Sequence, residues 1–304
     1  MNGSLVAGGT VTVVTAAKLA GRGNIAANTV VNGTLQPGDG FGTITFSGTL
    51  AFGSASRVAW ELGDNLEAGP SLDRVNAAGV SITTNAAIDL IFNRPGSAVD
   101  FRAAFWGQAR SWPVVAATSI TGSFKLGTIG GDLNGRPASG YGAFTLQHAA
   151  SAVSLVWTPL PPIQQWRFTH FSTNANSGNA ADLADMDRDG ILNLLEYALG
   201  GDPNLGSVAP LPVGGEAGGK LALLFSRRPS ATDLTLTVQA AASPAGPWTG
   251  LAVSSGGGAF AALVPGTDIT ESGDGELRAV VVRDLYLRSD PAHPRRFMRV
   301  QVER

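Results

Sequence analysis

Acidic residues occupy every second position in one short stretch of the chain, and a glycine, an asparagine and a glutamate follow them at fixed distances. The stretch covers residues 185–196 and reads D-M-D-R-D-G-I-L-N-L-L-E. Alternate carboxylates on a chain that curls around a point aim at that point, where they repel one another unless a divalent cation lies between them. Hard oxygen ligands on a flexible loop suit Ca²⁺, whereas Mg²⁺ demands a tighter octahedron.

The spacing assigns a role to each position of this stretch, which we call the acidic loop. The pattern D-x-D-x-D-G-x-x-N-x-x-E is the twelve-position calcium loop of an EF-hand. Gly190 is predicted to make the sharp turn, Ile191 to offer its backbone carbonyl and Asn193 a side-chain oxygen or a bound water. Glu196 would close the shell with both carboxylate oxygens. The alternative is a solvated, Asp-rich turn. The predicted Ca²⁺ ligands are Asp185, Asp187, Asp189, Ile191, Asn193 and Glu196.

One helix, and not two, is predicted beside the acidic loop. Apolar residues at helical spacing run from Ile191 to Leu199, and Gly200-Gly201 and Pro203 end the pattern. Before the loop, residues 166–171 predict a short helix or turn, and residues 172–179 are too rich in Asn and Gly for a full entering helix. A calcium loop with one good helix resembles half of a dockerin or a thrombospondin type 3 loop.

The composition favours β-structure and excludes several classes of protein. Charged residues are only 14% of the chain, which is rich in Gly, and Val, Thr and Ser recur in short runs. A net charge of −2 without charged blocks does not favour nucleic acid or an anionic membrane as a partner. The absence of cysteine excludes disulfides, thiolate metal sites and cysteine nucleophiles. No apolar run is long enough to span a bilayer.

Strand signals recur at roughly ten-residue spacing through the first 63 residues, separated by Gly or Asn-Gly. A meander of hairpins would fit, but the imperfect self-similarity favours stacked coils of a parallel β-solenoid. Residues 31–46, V-N-G-T-L-Q-P-G-D-G-F-G-T-I-T-F, resemble the repeat of autotransporter-associated β-strand repeat proteins, which are large bacterial surface or secreted proteins. The resemblance implies a location at the cell surface or outside the cell, with repeats and a signal peptide upstream in the same polypeptide.

The rest of the chain continues as β-structure. Residues 101–108 predict a helix capped by Asp100, whose aromatic side chains we interpret as the core of a cap on the solenoid end; a sugar-stacking platform is the alternative. Residues 160–162 predict a linker. After residue 206, five to seven short antiparallel strands are predicted as a small sandwich with Trp248 in its core. The strand candidates are 221–225, 234–239, 259–264, 277–282 and 297–302.

The predicted fold class is therefore all-β with three parts. Residues 1–160 form the C-terminal end of a parallel β-solenoid with its cap. Residues 161–205 form a short helical calcium-binding connector, and residues 206–304 form a small antiparallel β-sandwich. The first residues lack a basic segment before an apolar one, so we do not interpret them as a signal peptide, and we expect the chain to be the C-terminal piece of a longer protein.

Catalytic motifs are weak in this sequence. The three histidines are far apart in the chain, no G-x-S-x-G elbow occurs, and the G-R-G-N-I-A of residues 21–26 precedes a strand signal where a dinucleotide site needs a helix. Isolated acids are interpreted as turns and solvated faces; the candidates for a catalytic pair are Glu61, Asp64, Glu67, Asp73 and Asp89. Five arginines are interpreted as strand-edge charges, with a patch for acidic glycans as the alternative: Arg227, Arg228, Arg295, Arg296 and Arg299.

The leading functional hypothesis is a non-catalytic extracellular structural or adhesive module whose connector is rigidified by Ca²⁺. Its partner would be a surface glycan or protein, with no nucleic acid and no membrane span in this chain. Two alternatives remain: the accessory C-terminal region of a carbohydrate-active β-solenoid enzyme, and a dockerin-like assembly module that binds through Leu194 and Leu195.

Overall fold

The structure, a computed structural model, describes residues 2–6, 8–208 and 211–304. It is mostly β, and its contacts divide it into two compact units, residues 1–160 and residues 161–304. Residues 161–205, predicted as a separate connector, lie with residues 206–304 in the second unit. Within the described ranges, no helix has both the length and the apolar character needed to cross a bilayer.

The first unit is built around one sheet of fourteen strands, counted over the described residues. Short 3₁₀ turns interrupt it at Ala104–Gly107 and Ala138–Gly140. The strands are β1 Asn2–Leu5, β2 Val11–Val13, β3 Lys18–Ile25, β4 Thr29–Val31, β5 Thr34–Pro37, β6 Thr43–Phe52, β7 Arg57–Glu61, β8 Arg74–Ile82, β9 Ala87–Ile91, β10 Arg110–Ala117, β11 Ile120–Thr121, β12 Lys125–Ile129, β13 Gly142–His148 and β14 Ala152–Pro159.

Parallel pairing dominates this unit. One row runs β3-β5-β7-β9-β12 and a second runs β1-β3-β6-β8-β10, with every neighbouring pair parallel. A hairpin meander gives antiparallel neighbours, so the pairing in these rows is not that of a meander. Register places Leu35 beside Val58 and Val58 beside Ile88, and all three are fully buried. Apolar residues at matching positions therefore stack into continuous columns that form the core.

Close approach of successive strands explains one of the glycines. A Cβ on Gly33 would lie 2.2 Å from the carbonyl oxygen of Ala17, a distance that no side chain tolerates. The Asn-Gly signal in the sequence thus marks a place where two backbones nearly touch.

The far end of the first unit holds an aromatic core. Here β10, β14 and β13 pair antiparallel. Phe101 and Trp106 are fully buried, which confirms their interpretation as core residues, whereas Phe105 is only half-buried; Trp112, just after this segment, is fully buried with them. The predicted helix at 101–108 is wrong, since only the 3₁₀ turn Ala104–Gly107 forms. The amide of Phe101 donates to Asp132 Oδ2 (3.1 Å) and that of Arg102 to Asp100 Oδ1 (2.8 Å), so side chains hold the backbone of this segment in turns.

A line of polar side chains crosses the first row of strands; we call it the polar ladder (Lys18, Gln36, Glu61 and Arg94). Lys18 Nζ donates to Gln36 Oε1 (2.9 Å), Gln36 Nε2 donates to Glu61 Oε1 (2.8 Å), and Arg94 pairs with that same carboxylate. Beside it, Asp73 accepts the amides of Gly42 (2.9 Å) and Glu61 (3.2 Å). Neither Glu61 nor Asp73 is exposed, and burial raises the pKa of Glu61 and raises the pKa of Asp73 to about 9.

The second unit contains two α-helices and two four-stranded sheets within the described residues. Its sheets are ordered β15-β16-β21-β20 and β19-β18-β17-β22, and every pairing is antiparallel. A 3₁₀ turn lies at Gly178–Ala180. The elements are α1 Pro162–Phe171, α2 Asn193–Leu199, β15 Val213–Ala217, β16 Lys220–Arg227, β17 Thr235–Ala241, β18 Thr249–Ser255, β19 Ala261–Ala262, β20 Asp268–Ser272, β21 Arg278–Leu287 and β22 Phe297–Glu303.

One hydrophobic core joins the helices and both sheets of this unit. It includes Trp166 of α1, Tyr197 of α2, Phe225 of β16 and Val238 of β17. Trp248 was predicted in the core, but it is only half-buried and Arg299 lies over its ring at 4.3 Å. The strand predicted at 259–264 is reduced to β19, and β15, β18 and β20 form where no strand was predicted.

Candidate metal centre

The acidic loop turns alternate side chains inward. Asp185, Asp187 and Asp189 are half-buried, while Met186 and Arg188 between them are exposed. Carboxylate oxygens of the three aspartates lie within 4.8 Å of one another, close enough for one cation to touch all three. The alternation that the sequence showed as D-x-D-x-D is thus realised as a three-carboxylate cluster that could hold a metal ion.

Backbone amides of the loop orient these carboxylates. Asp185 accepts the amides of Arg188 (2.7 Å) and Gly190 (3.0 Å) with its two oxygens. Asp189 accepts the amides of Ile191 (2.8 Å) and Ser207 (2.7 Å). Gly190 has φ +90°, the left-handed conformation that favours glycine, so the predicted sharp turn is present.

Two buried side-chain oxygens in this region have no hydrogen-bond donor among the described residues: Asp187 Oδ2 and Asn193 Oδ1. Asn193 is 1% exposed, and its Nδ2 donates to the carbonyls of Asn179 and Ala181, both at 2.8 Å. Those two bonds use both amide hydrogens and leave Oδ1 as a free acceptor. An unsatisfied buried acceptor costs about 1–3 kcal/mol, which a bound cation would offset.

Glu196, the last position of the acidic loop, lies in the first turn of α2 and is 2% exposed. Burial, and then the negative charges of Asp187 and Asp189, raise the pKa of Glu196 to about 7. Ile191 is buried at 1% exposure, and its amide is held by Asp189. The structure therefore gathers the three aspartates into one cluster, with Glu196 and Asn193 buried on the adjoining helix.

Both ends of α2 are anchored. At its start, the amides of Asn193 and Leu194 donate to the carbonyls of Ala184 and Asp182, so the helix grows directly from the segment before the loop. At its end Gly200 is left-handed with φ +90°, and the amides of Gly200 and Gly201 both donate to the Glu196 carbonyl. This is the helix end that the Gly-Gly pair predicted.

Arg228 satisfies the last carbonyls of α2. Its backbone amide donates to Ala198 O (3.0 Å) and its Nε donates to Tyr197 O (3.2 Å). A cation at a helix C-terminus also complements the helix dipole. Of the five arginines interpreted as strand-edge charges, Arg228 thus binds a helix, and Arg227 is buried against Glu271.

Two aspartates outside the acidic loop organise its surroundings, and neither was predicted as a site residue. Asp233 accepts the Tyr197 hydroxyl (2.7 Å) and the Ile163 amide (3.0 Å), which links α2 to the start of α1. Asp182 pairs with Arg167 of α1 and with Arg304 (2.9 Å). Their partners come from distant parts of the chain, so spacing alone could not reveal these roles.

The acidic residues considered for catalysis in the first unit are each engaged in local contacts. Glu61 is a buried member of the polar ladder and Asp73 is buried beside it, while Asp89 pairs with Arg57 (2.7 Å). Glu67 pairs with Arg110 (3.2 Å), and Asp64 accepts the Asn65 amide (2.7 Å). Of the histidines, His148 accepts the Phe124 amide, His170 packs on Trp166 and His293 stacks on Tyr286.

Comparison with known proteins adds no family assignment. Neither a scan against models of protein families nor a search of the curated proteins finds a match for this chain.

Proposed function

We propose that this chain is a non-catalytic extracellular structural or adhesive module that Ca²⁺ rigidifies at residues 185–196. One observation carries the proposal: three aspartates converge within 4.8 Å, and two buried oxygens of the predicted ligands, Asp187 Oδ2 and Asn193 Oδ1, lack a donor among the described residues. Oxygen ligands without nitrogen or sulfur are the set that Ca²⁺ prefers. The proposed ligands are Asp185, Asp187, Asp189, Ile191 through its carbonyl, Asn193 and Glu196.

The proposed architecture is the end of a parallel β-solenoid followed by an antiparallel β-sandwich. Two rows of parallel strands with apolar columns support the first part, and the buried aromatic cluster with antiparallel β10, β14 and β13 would cap it. Two antiparallel four-stranded sheets around a common core support the second. Both parts are scaffolds that extend or present a surface, which suits an adhesive module.

A structural ion fits an extracellular setting. A loop of this type binds Ca²⁺ with a dissociation constant of about 10⁻⁴ to 10⁻³ M in extracellular modules, so millimolar external Ca²⁺ keeps it loaded. The proposed ion would hold α2, whose residues Tyr197 and Leu199 lie in the core of the second unit. Loading the loop would then stabilise that core by mass action.

Calorimetric titration of Ca²⁺ into the full chain is the test of this proposal. We expect one site, lost or weakened at least about tenfold in Asp187→Ala and in Glu196→Gln, because each variant removes a proposed ligand. Asp274→Asn is the matched control, since Asp274 is an exposed acid in the same unit, and its affinity should equal that of the wild type.

Unchanged Ca²⁺ affinity in both ligand variants would refute the calcium assignment. The proposal that the chain is non-catalytic is tested separately, by turnover assays on a panel of glycans and peptides with Ca²⁺ present. Turnover that survives repurification and disappears on mutation of one acidic residue outside 185–196 would favour the carbohydrate-active enzyme.

A further inference from the structure

A cavity of about 540 Å³ opens in the second unit, away from every residue of the acidic loop. One wall is the backbone of Gly214 and Gly215 on β15, and no atom lies within 4 Å of where a Cβ on Gly214 would be. Tyr286 and His293 also line the cavity. A volume in the range of about 300–1,000 Å³ is typical of small-ligand sites.

The aromatic wall is rigid and amphipathic. Tyr286 and His293 are stacked with ring centroids 3.4 Å apart and planes 10° apart. His293 Nδ1 lies 3.0 Å from Asp290 Oδ2, and Arg296 lies over the Tyr286 ring at 5.0 Å. Among the described residues the Tyr286 hydroxyl has no hydrogen-bond partner. A flat ring pair with a free hydroxyl suits a ligand that has both an apolar face and hydroxyl groups.

Three arginines line the cavity, and one of them is unpaired. The fully buried Asp284 binds Arg296 through two bonds of 2.6 and 2.7 Å, and Glu216 binds Arg288 at 2.6 Å. Within the part of the chain that the structure describes, no carboxylate pairs with the exposed Arg295. Arg295 is therefore the one arginine of the cavity without a paired acid among the described residues, and its guanidinium can bind a carboxylate bidentately.

We propose that this cavity binds a uronic acid unit of an acidic polysaccharide, with the sugar ring against the His293 side of the stacked Tyr286–His293 pair and its carboxylate on Arg295. A uronate combines the three features that the walls match: an apolar ring face, hydroxyls and one negative charge. Glu216 competes with the ligand for Arg288, so it limits affinity and disfavours more highly charged anions. This assignment supplies a ligand for the proposed adhesive module. It rests on that proposed function only for its biological context, because none of the cavity residues is a proposed Ca²⁺ ligand.

Calorimetric titration of the full chain with tri-galacturonic acid, in the presence of Ca²⁺, tests the assignment. We expect the trisaccharide to bind, and its methyl ester to bind at least about tenfold more weakly because it lacks the charge. Arg295→Gln should lose about tenfold in affinity, and Arg295→Lys should lose less because it keeps the charge. Glu216→Gln should bind more tightly than the wild type, because it frees Arg288.

Arg299→Gln is the matched control, since it removes one exposed arginine four residues away that contacts Trp248 and Gln239. Its affinity for the trisaccharide should equal that of the wild type. The assignment would be overturned if the trisaccharide does not bind, if its methyl ester binds equally well, or if Arg295→Gln and the control Arg299→Gln lose affinity equally. Equal binding of a glutamate-rich peptide would show a general anion site and would also overturn it. The Ca²⁺ titration is unaffected by any of these results, so the two proposals fail separately.

Discussion

The side chain of Asn193 donates both of its amide hydrogens to backbone carbonyls, which leaves its oxygen free to accept. Its position, eight residues after Asp185, was predictable from the calcium-loop spacing. Its orientation was not, because the carbonyls of Asn179 and Ala181 that take both amide hydrogens reach it only through the folded path of residues 172–184. The same holds for Asp182 and Asp233, whose partners are distant in sequence. Spacing thus identifies which residues could bind an ion, while long-range contacts determine how they are held.

The buried pair of Glu61 and Asp73 makes the stability of the first unit depend on pH. Burial, together with the nearby Glu61 carboxylate, raises the pKa of Asp73 to about 9 against the lowering effect of the Gly42 and Glu61 amides and of Arg94. In the unfolded chain the pKa of an Asp is about 3.9. Between these values the folded state holds a proton that the unfolded state lacks, so stability is full below the lower pKa and falls as pH rises toward 9.

We therefore predict that the urea midpoint of the first unit falls between about pH 6 and pH 9. Tryptophan fluorescence reports mainly on this unit, because it holds four of the six tryptophans: Trp60, Trp106, Trp112 and Trp157. Glu61→Gln keeps an acceptor for Gln36 and Arg94 but removes the like charge beside Asp73, so its midpoint should change less with pH. Glu67→Gln, at an exposed ion pair, is the control and should behave as the wild type. A midpoint that is flat or rises over this range would contradict the prediction.

Helix α2 shows how an element can be predicted well from sequence. Its apolar stripe and its Gly-Gly end were both visible, and the structure gives α2 as Asn193–Leu199 with Gly200 left-handed. The predicted helix at 101–108 is absent although Asp100 accepts the Arg102 amide as a helix cap would; the Phe101 amide is bound instead by the side chain of Asp132. Asp132 lies about thirty residues away in the chain, so no local pattern could show that competition. The strands of the first unit likewise pair with parallel strands that do not follow them directly in the chain. Only the repeat-like spacing of the strand signals indicated this pairing.

Gly200→Ala is predicted to weaken α2. An L-residue in the left-handed conformation costs about 1–2 kcal/mol, and a Cβ here would also lie 2.5 Å from a Leu277 methyl group, which must move. We expect faster amide hydrogen exchange in residues 193–199 and several-fold weaker Ca²⁺ binding, since Glu196 is carried by this helix. Gly275→Ala is the matched control, because Gly275 is a turn glycine with no atom within 4 Å of its Cβ position. Equal exchange rates in the two variants would show that the helix end is not strained by the substitution.

At the scale of the whole molecule, helix α2, which carries the end of the acidic loop, belongs to a shared core. The sequence predicted residues 161–205 as a connector between two other parts. In the structure, Trp166 and Tyr197 from that segment pack in one cluster with Phe225 and Val238 from the two sheets. Helices that share a core with sheets unfold with them rather than alone. Loss of the proposed ion should therefore also destabilise strands that contain no proposed metal ligand.

The last prediction concerns that coupling. Removing Ca²⁺ with EDTA should speed amide hydrogen exchange first in residues 172–192, which lose the bound ion, and also in β16 and β17, which lose the packing of α2. Asp187→Ala with Ca²⁺ present should give the same pattern as the wild type in EDTA, which separates loss of the ion from any other effect of the chelator. Exchange that changes only within 161–205 would instead show an autonomous connector, and exchange that changes nowhere would remove the structural role proposed for Ca²⁺.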